Sequence, residues 1–248
     1  MNGEETIGLP VFPLFFGGSH FLQDVLRFFK MENENRTILI EGSKVFGILL
    51  DEKAVKAFEV YLKELLKWNQ KINLTAIRSE KGMVLKHFLD SLSVFPHLSQ
   101  ASSLLDIGSG AGFPGIPLKI VEPSLEVTLI DSVLKKVDFQ RHIIRILGLK
   151  GIRAIHGRVQ DREARQTLGE RFDRVVSRAF SDLPTFLCLS FPFLKRGGMA
   201  LAMKGQGSNG DTQSLSETEK TPYRLQKAVS FSLPFSSSRR SILLFEKI

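Results

Sequence analysis

Apolar residues recur three and four positions apart at Val55, Phe58, Leu62, Leu65 and Leu66, which predicts an amphipathic helix opened by Asp51 as its N-terminal cap. A second helix is expected over residues 79–94, capped by Ser79 and carrying Val84, Phe88, Leu89 and Leu92 on its apolar side. Beyond Ser102 the rhythm changes to short apolar runs alternating with helical stretches, the signature of βαβ units and a parallel sheet. The runs at 104–107, 126–130, 153–156, 172–177 and 199–203 read as strands. Residues 114–121, 135–147 and 183–194 read as helices, the second stopped by Gly148 and the third closed by Gly197 and Gly198. Two last strands, 227–233 and 241–247, are placed to pair as an antiparallel hairpin at the sheet edge. The expected architecture is α/β, a mainly parallel seven-stranded sheet behind an N-terminal helical cap.

Residues 1–35 differ in texture. They are Phe-rich, contain a Gly-Gly pair and end in polar residues, so they are read as an extension of unassigned role, with Met31 a candidate start. Within them Phe21, Leu22, Val25, Leu26 and Phe29 follow a helical spacing. The polar run 205–221 is rich in Gly and Ser and reads as a mobile loop.

Composition narrows the classes. With 248 residues and 43% hydrophobic content the chain can bury one larger core plus an accessory segment. Its net charge of +8 favours a polyanionic partner without constituting a motif. Lys53, Lys56, Lys63 and Lys67 on the first helix are interleaved with acids, so by default that face is solvated. One cysteine, Cys188, excludes an internal disulfide and supplies no metal-ligand spacing, so no metal is expected. No apolar run approaches the ~20 residues needed to span a bilayer, and a cytoplasmic setting without membrane attachment is expected.

The most informative stretch is Leu104-Leu-Asp-Ile-Gly-Ser-Gly-Ala-Gly-Phe-Pro-Gly115, a strand that ends in three alternating glycines and enters a helix. A side chain at Gly108, Gly110 or Gly112 would keep the backbone from approaching a ligand. A phosphate-binding P-loop ends in Gly-Lys-Ser/Thr, which is missing here. The dinucleotide fingerprint wants Gly-x-Gly-x-x-Gly, and Phe113 stands at its last glycine. Asp106 places a carboxylate beside the loop, which suits the ammonium of an amino-acid moiety and would repel a pyrophosphate. Asp131, at the end of the second strand, is placed to accept from ribose hydroxyls. Together these favour S-adenosylmethionine as the ligand.

Absences then limit the methyl acceptor. Carbon methylation of pyrimidines commonly needs a cysteine nucleophile, yet Cys188 lies mid-helix, where a buried structural thiol is expected. Exocyclic amino methylation goes with an Asn/Asp-Pro-Pro-aromatic turn after the fourth strand, where this chain has Ser177-Arg178-Ala179-Phe180. Guanine N7 presents an unprotonated lone pair and needs no general base, so orientation supplies much of the acceleration. That permits a site without obvious catalytic residues.

Six ordered blocks then carry a resemblance: Trp68-Asn69-x-x-Ile72-Asn73-Leu74-Thr75, His87-Phe-Leu-Asp-Ser91, Asp106 to Gly115, Leu129-Ile-Asp-Ser132, Ser177-Arg-Ala-Phe180 and Lys204-Gly205. Over residues 36–248 the chain resembles the bacterial small-subunit ribosomal RNA guanine-N7 methyltransferase family, also called glucose-inhibited division protein B. The resemblance implies a class I, Rossmann-like S-adenosylmethionine-dependent methyltransferase with a helical cap (36–100) and a methyltransferase domain (101–248), while the extension (1–35) has no counterpart in it. It implies methylation of one guanine in the decoding-region loop of 16S RNA, free or in the small subunit, by a monomer. By the family's pattern Gly108 and Phe113 contact the cofactor, Val159 and Gln160 flank the adenine, and Arg178 lines the same site, joining Gly110, Gly112 and Asp131 from the loop and strand-end reading. Asn73, His87 and Lys204 are expected on the RNA side. Gln160 departs from the acid that many relatives carry. Two alternatives stay open at this point, a methyltransferase for small molecules and a non-catalytic ribosome-assembly factor.

Overall fold

The computed structural model describes residues 31–99, 101–178, 182–205 and 222–248. The helix expected around Phe21 to Phe29 and nearly all of the 205–221 loop lie outside the described residues, as do Ala179 and Phe180.

The chain enters through α1 (Asn33–Lys44) and α2 (Glu52–Ile72). Asp51 caps α2 as expected, its carboxylate accepting from the Ala54 N–H at 2.7 Å. Next comes α3, Glu80–Met83, which widens into a π-helical segment at Val84–Leu89 and closes with a helical turn at Asp90–Leu92. Ser79 caps it by accepting from the Gly82 N–H at 3.2 Å.

The sheet then builds in βαβ steps: β1 (Ser103–Ile107), α4 (Gly115–Val121), β2 (Glu126–Asp131), α5 (Leu134–Ile146), β3 (Ile152–His156), α6 (Arg162–Leu168), β4 (Phe172–Ser177), α7 (Leu183–Ser190) and β5 (Leu194–Lys204). The hairpin β6 (Tyr223–Ser232) and β7 (Arg239–Lys247) completes it. Strand order is β3-β2-β1-β4-β5-β7-β6. The first five are mutually parallel, and β7 is inserted antiparallel between β5 and β6.

Alternation along the strands sorts two cores. Leu104 and Leu129 face one core with Phe58 and Leu65 of α2, Phe88, Ile116 and Phe139. Leu105, Ile107 and Val175 face the other with Leu168 of α6 and Phe186 and Leu187 of α7. The order reverses between β1 and β4, so the crevice outside the carboxyl ends of those strands is where an open α/β sheet binds ligands.

Some elements depart from the sequence reading for physical reasons. Helix α1 was not expected, because only Asn35, Ile38, Leu39, Gly42 and Ser43 are buried and two of those are polar. It is held by close packing, since a Cβ at Gly42 would meet the Leu89 side chain. Helix α6 buries Leu168 alone and carries no apolar period. Helix α7 stops at Ser190 because Pro192 turns the chain through a 3₁₀ segment at Phe191–Phe193. Strand β5 therefore begins at Leu194 and passes through Gly197 and Gly198. Cys188 is exposed rather than buried, lying off the face of α7 that buries Phe186, Leu187 and Ser190.

Candidate functional site

Between β1 and α4 the chain turns with φ of +68° at Gly108, +59° at Gly110 and +99° at Gly112, values that side chains disfavour. A Cβ at Gly108 would meet nothing within 4 Å, and one at Gly110 would lie 4.0 Å from the Gly108 carbonyl oxygen, so the loop is open to a ligand on that side. Gly112 faces inward, where a Cβ would collide with Ile116 and come within 2.9 Å of the Tyr61 hydroxyl. The loop is tied down from three directions. Gly108 N–H donates to the Ile130 carbonyl at 2.9 Å. Tyr61 donates to the Ala111 carbonyl at 2.5 Å. Gln140 of α5 donates to Ser109 Oγ at 2.9 Å and to the Gly110 carbonyl at 2.6 Å.

Asp131 meets the loop at the end of β2. Its Oδ2 accepts from the Gly110 N–H at 2.8 Å and its Oδ1 from the Val133 N–H at 2.9 Å, and each oxygen retains a second lone pair. Asp131 lines a cleft of about 260 Å³ with Gly108, Ser132, Arg158, Val159 and Gln160. Four residues singled out from sequence, Gly108, Asp131, Val159 and Gln160, thus share one cleft at the ends of β1, β2 and β3. Asp106 is fully buried beneath the loop. Its Oδ2 accepts from the Gly115 N–H at 2.8 Å, and its Oδ1 has no hydrogen-bond partner among the described residues. Burial pushes this carboxyl up to about 7, against the opposing pull of the Gly115 N–H and Arg178.

The remaining candidates gather on the β4–β5 side. The Phe113 ring is buried, lying at 16° to the His87 ring with centroids 4.7 Å apart and at 20° to the Tyr61 ring at 5.4 Å. The Arg178 guanidinium sits 5.0 Å from the Phe113 centroid. His87 places Nδ1 3.1 Å from Arg178 Nη1 and Nε2 2.7 Å from Thr75 Oγ1. Burial, with the Arg178 charge, lowers the His87 pKa to about 3, so the ring is neutral at physiological pH. With Nδ1 accepting from Arg178, the proton is assigned to Nε2, which donates to Thr75. Thr75 is fixed in turn by Asn69, whose Oδ1 accepts from its N–H at 2.8 Å. This brace shapes the turn carrying Asn73, which is exposed and ends α2 in the left-handed region at φ 49°.

Arg178 also lines a second cleft, about 200 Å³, together with Asp90, Lys204, Phe231, Arg240 and Ser241. Lys204, the last residue of β5, is buried in its wall. Arg178 is therefore not among the residues of the first cleft. It stands between the glycine loop and the second. Asp90 Oδ1 accepts from Arg240 Nε at 3.0 Å, while Oδ2 is 4.0 Å from Arg178 Nη1. Burial raises the Asp90 pKa and both arginines oppose the rise.

Sequence reasoning gave no role to Tyr61, Asp90, Gln140 or Arg240. Gln140 left a trace, because it falls on the apolar stripe of α5 beside Val137 and Ile143. Arg240 left none, since its partner Asp90 is 150 positions away.

A parallel sheet with an inserted antiparallel β7, a glycine loop after β1 and an acid ending β2 define an S-adenosylmethionine-dependent methyltransferase of the class I fold. The chain belongs to the family described as rRNA small subunit methyltransferase G, whose model matches residues 54–243. Ribosomal RNA small subunit methyltransferase G of Geobacter metallireducens is 42% identical over 215 residues, covering 86% of this chain and 97% of that protein. The protein of the same name from Geotalea uraniireducens is 40% identical over 219 residues, covering 88% and 99%. Among solved structures, M. jannaschii TYW2 in complex with AdoMet aligns at a TM-score of 0.47 and 20% identity over 59% of this chain and 69% of its own.

The residues present fit that cofactor. Open space above Gly108 and Gly110 admits a ligand against the backbone, and Asp131 keeps lone pairs for hydroxyl donors. Asp131→Ala is expected to weaken S-adenosylmethionine binding by about 10- to 100-fold, the scale of hydrogen bonds to a charged group. Calorimetric titration measures this, and unchanged affinity would remove Asp131 from the site.

Proposed function

We propose that this chain methylates N7 of a single guanine in 16S ribosomal RNA, using S-adenosylmethionine. The observation that supports this most is the family match, which runs from α2 into β7 and so spans every element that contributes to the two clefts. When bound, the cofactor supplies an electrophilic methyl group on a sulfonium sulfur.

The chain's own residues bind and orient. Gly108, Gly110 and Asp131 hold the nucleoside end of the cofactor, with Val159 and Gln160 beside its adenine. Phe113 and Gly112 shape the loop from within. Because N7 carries no proton, no side chain has to remove one, and His87, beside the loop, is neutral, buried and committed to Arg178 and Thr75. Acceleration then comes from holding N7 in line with the methyl group. Asn73 and Lys204 face the RNA, and His87 acts on that side through Arg178. A base stacked in RNA cannot reach a cleft of this depth, so the target is turned out of its stack. The reading includes action on free RNA or the small subunit and a monomeric enzyme in the cytoplasm. Among the described residues no helix is long and apolar enough to cross a membrane.

Deleting the gene should remove one 7-methylguanosine from 16S RNA, as read by nucleoside analysis and mapping of the modified base. An unchanged profile would sink the assignment.

A further inference from the structure

The second cleft contains three cations and one acid. Arg178, Lys204 and Arg240 would serve a phosphate by themselves, but the carboxylate of Asp90 among them is a poor feature for an anion site. The acid is not spent on its neighbours. Only Oδ1 is held by Arg240. Oδ2 makes no hydrogen bond among the described residues, the Arg178 head group standing off at 4.0 Å. It is not among the enclosed orphan atoms, which are Asp106 Oδ1 and Gln140 Oε1, so it is accessible from the cleft. On the Arg178 side, Nη1 is engaged by His87 and by the Lys86 carbonyl at 3.3 Å, leaving Nη2 and Nε without partners among the described residues.

The cleft thus presents an acceptor, Asp90 Oδ2, and near it the Arg178 guanidinium, whose Nη2 and Nε are not engaged among the described residues. Guanine carries the complement along its Watson–Crick edge, where the exocyclic amino group and the neighbouring N1–H donate and O6 accepts, with N7 beyond O6. Adenine offers a donor where guanine has O6 and no amino group at its C2, so the same pair rejects it. The half-buried Phe231 ring supplies an apolar wall for the flat of a base. We propose that this cleft is the pocket for the turned-out guanine, with Asp90 Oδ2 accepting from its exocyclic amino group and Arg178 donating to O6. The proposal rests on the guanine-N7 reading above and names the residue that makes the enzyme choose guanine. Asp90 is a specificity-determining residue, and N7, beyond O6, lies on the Arg178 side of the base, toward the glycine loop.

The test uses the full-length protein and two small-subunit RNA substrates that differ only at the target, one with guanosine and one with inosine, which lacks the exocyclic amino group. Transfer of labelled methyl by the wild-type chain to the guanosine substrate carries the parent reading within the same experiment. Wild type should favour guanosine over inosine by about 10- to 100-fold in kcat/KM, the range of one hydrogen bond to a charged acceptor. Asp90→Asn keeps an oxygen for Arg240 but turns an amide N–H toward the guanine amino group. It should collapse the guanosine-to-inosine ratio to about one or below, because a donor facing a donor penalises guanosine alone. The ratio does not depend on how much of the variant folds. Equal use of both substrates by wild type, or an unchanged ratio in Asp90→Asn, overturns the pocket assignment while leaving N7 methylation intact.

Discussion

Gly112→Ala will lower the melting temperature by about 5–15 °C and abolish most cofactor binding. Two costs combine there. An alanine at φ +99° is strained, at about 1–2 kcal/mol. Its methyl would also be driven into Ile116 and the Tyr61 hydroxyl, overpacking that costs about 1–3 kcal/mol. At about 2–4 °C per kcal/mol for a domain of this size, the sum gives the expected shift. Relief requires the Ile116 and Tyr61 side chains to shift, and moving the Tyr61 hydroxyl displaces the Ala111 carbonyl it holds and with it the ligand face of the loop. The control is Gly108→Ala, where a Cβ meets nothing. It should melt within a few degrees of wild type yet still bind cofactor poorly, because the methyl occupies the ligand side. Differential scanning calorimetry and cofactor titration of the two variants separate the effects. Similar melting temperatures for both would mean that Gly112 is not the packed glycine of the pair.

That contrast marks what the sequence could reveal. Three alternating glycines after an apolar run identify a cradle, but their division of labour depends on Tyr61, which comes from a helix some fifty residues earlier. The strands of the sheet and helices α4, α5 and α7 were legible from their apolar pattern, whereas α6 was not, because it buries Leu168 alone. Helix α1 was not, because it buries a polar asparagine and a serine and packs through a glycine. The candidate cofactor residues at the ends of β1, β2 and β3 follow from one topological rule, so Gly108, Asp131, Val159 and Gln160 line one cleft as neighbours. The second cleft follows no such rule. It joins Asp90 from the cap, Arg178 after β4, Lys204 ending β5 and Arg240 from the hairpin, and only the third dimension brings an acid and its arginine together. His87 was read as an RNA-side residue on the strength of its block. The structure places it one layer back, stacked on Phe113 and bonded to Arg178.

In the cofactor-free protein the buried Asp106 is expected to make stability fall as pH rises. Its carboxyl is raised from 3.8 to about 7 in the folded chain, by burial first, so folding takes up a proton between those values. The favourable contribution of the neutral acid is complete below the unfolded value and is lost as pH rises through the folded one. The loss is about 4 kcal/mol at roughly 1.4 kcal/mol per unit. Asp106→Asn keeps an oxygen for the Gly115 N–H and carries no titrating proton. Its stability relative to wild type should therefore improve by that amount between pH 4 and pH 8. Urea unfolding of both proteins across this range measures the difference, and parallel pH profiles would show that Asp106 is charged in the folded chain throughout.

The bond from Tyr61 to the Ala111 carbonyl has a consequence for how the two substrates sense each other. Tyr61 is fully buried on α2, whose other side carries lysines toward solvent, so the helix cannot shift as a rigid rod without pulling the cradle with it. A polyanion that repositions α2 must then change the affinity for the methyl donor. Thermodynamic linkage requires the methyl donor to change the affinity for the polyanion by the same factor. The order in which donor and RNA arrive leaves the energy of the ternary complex unchanged, and the buried hydroxyl is the contact through which either one prepares the protein for the other.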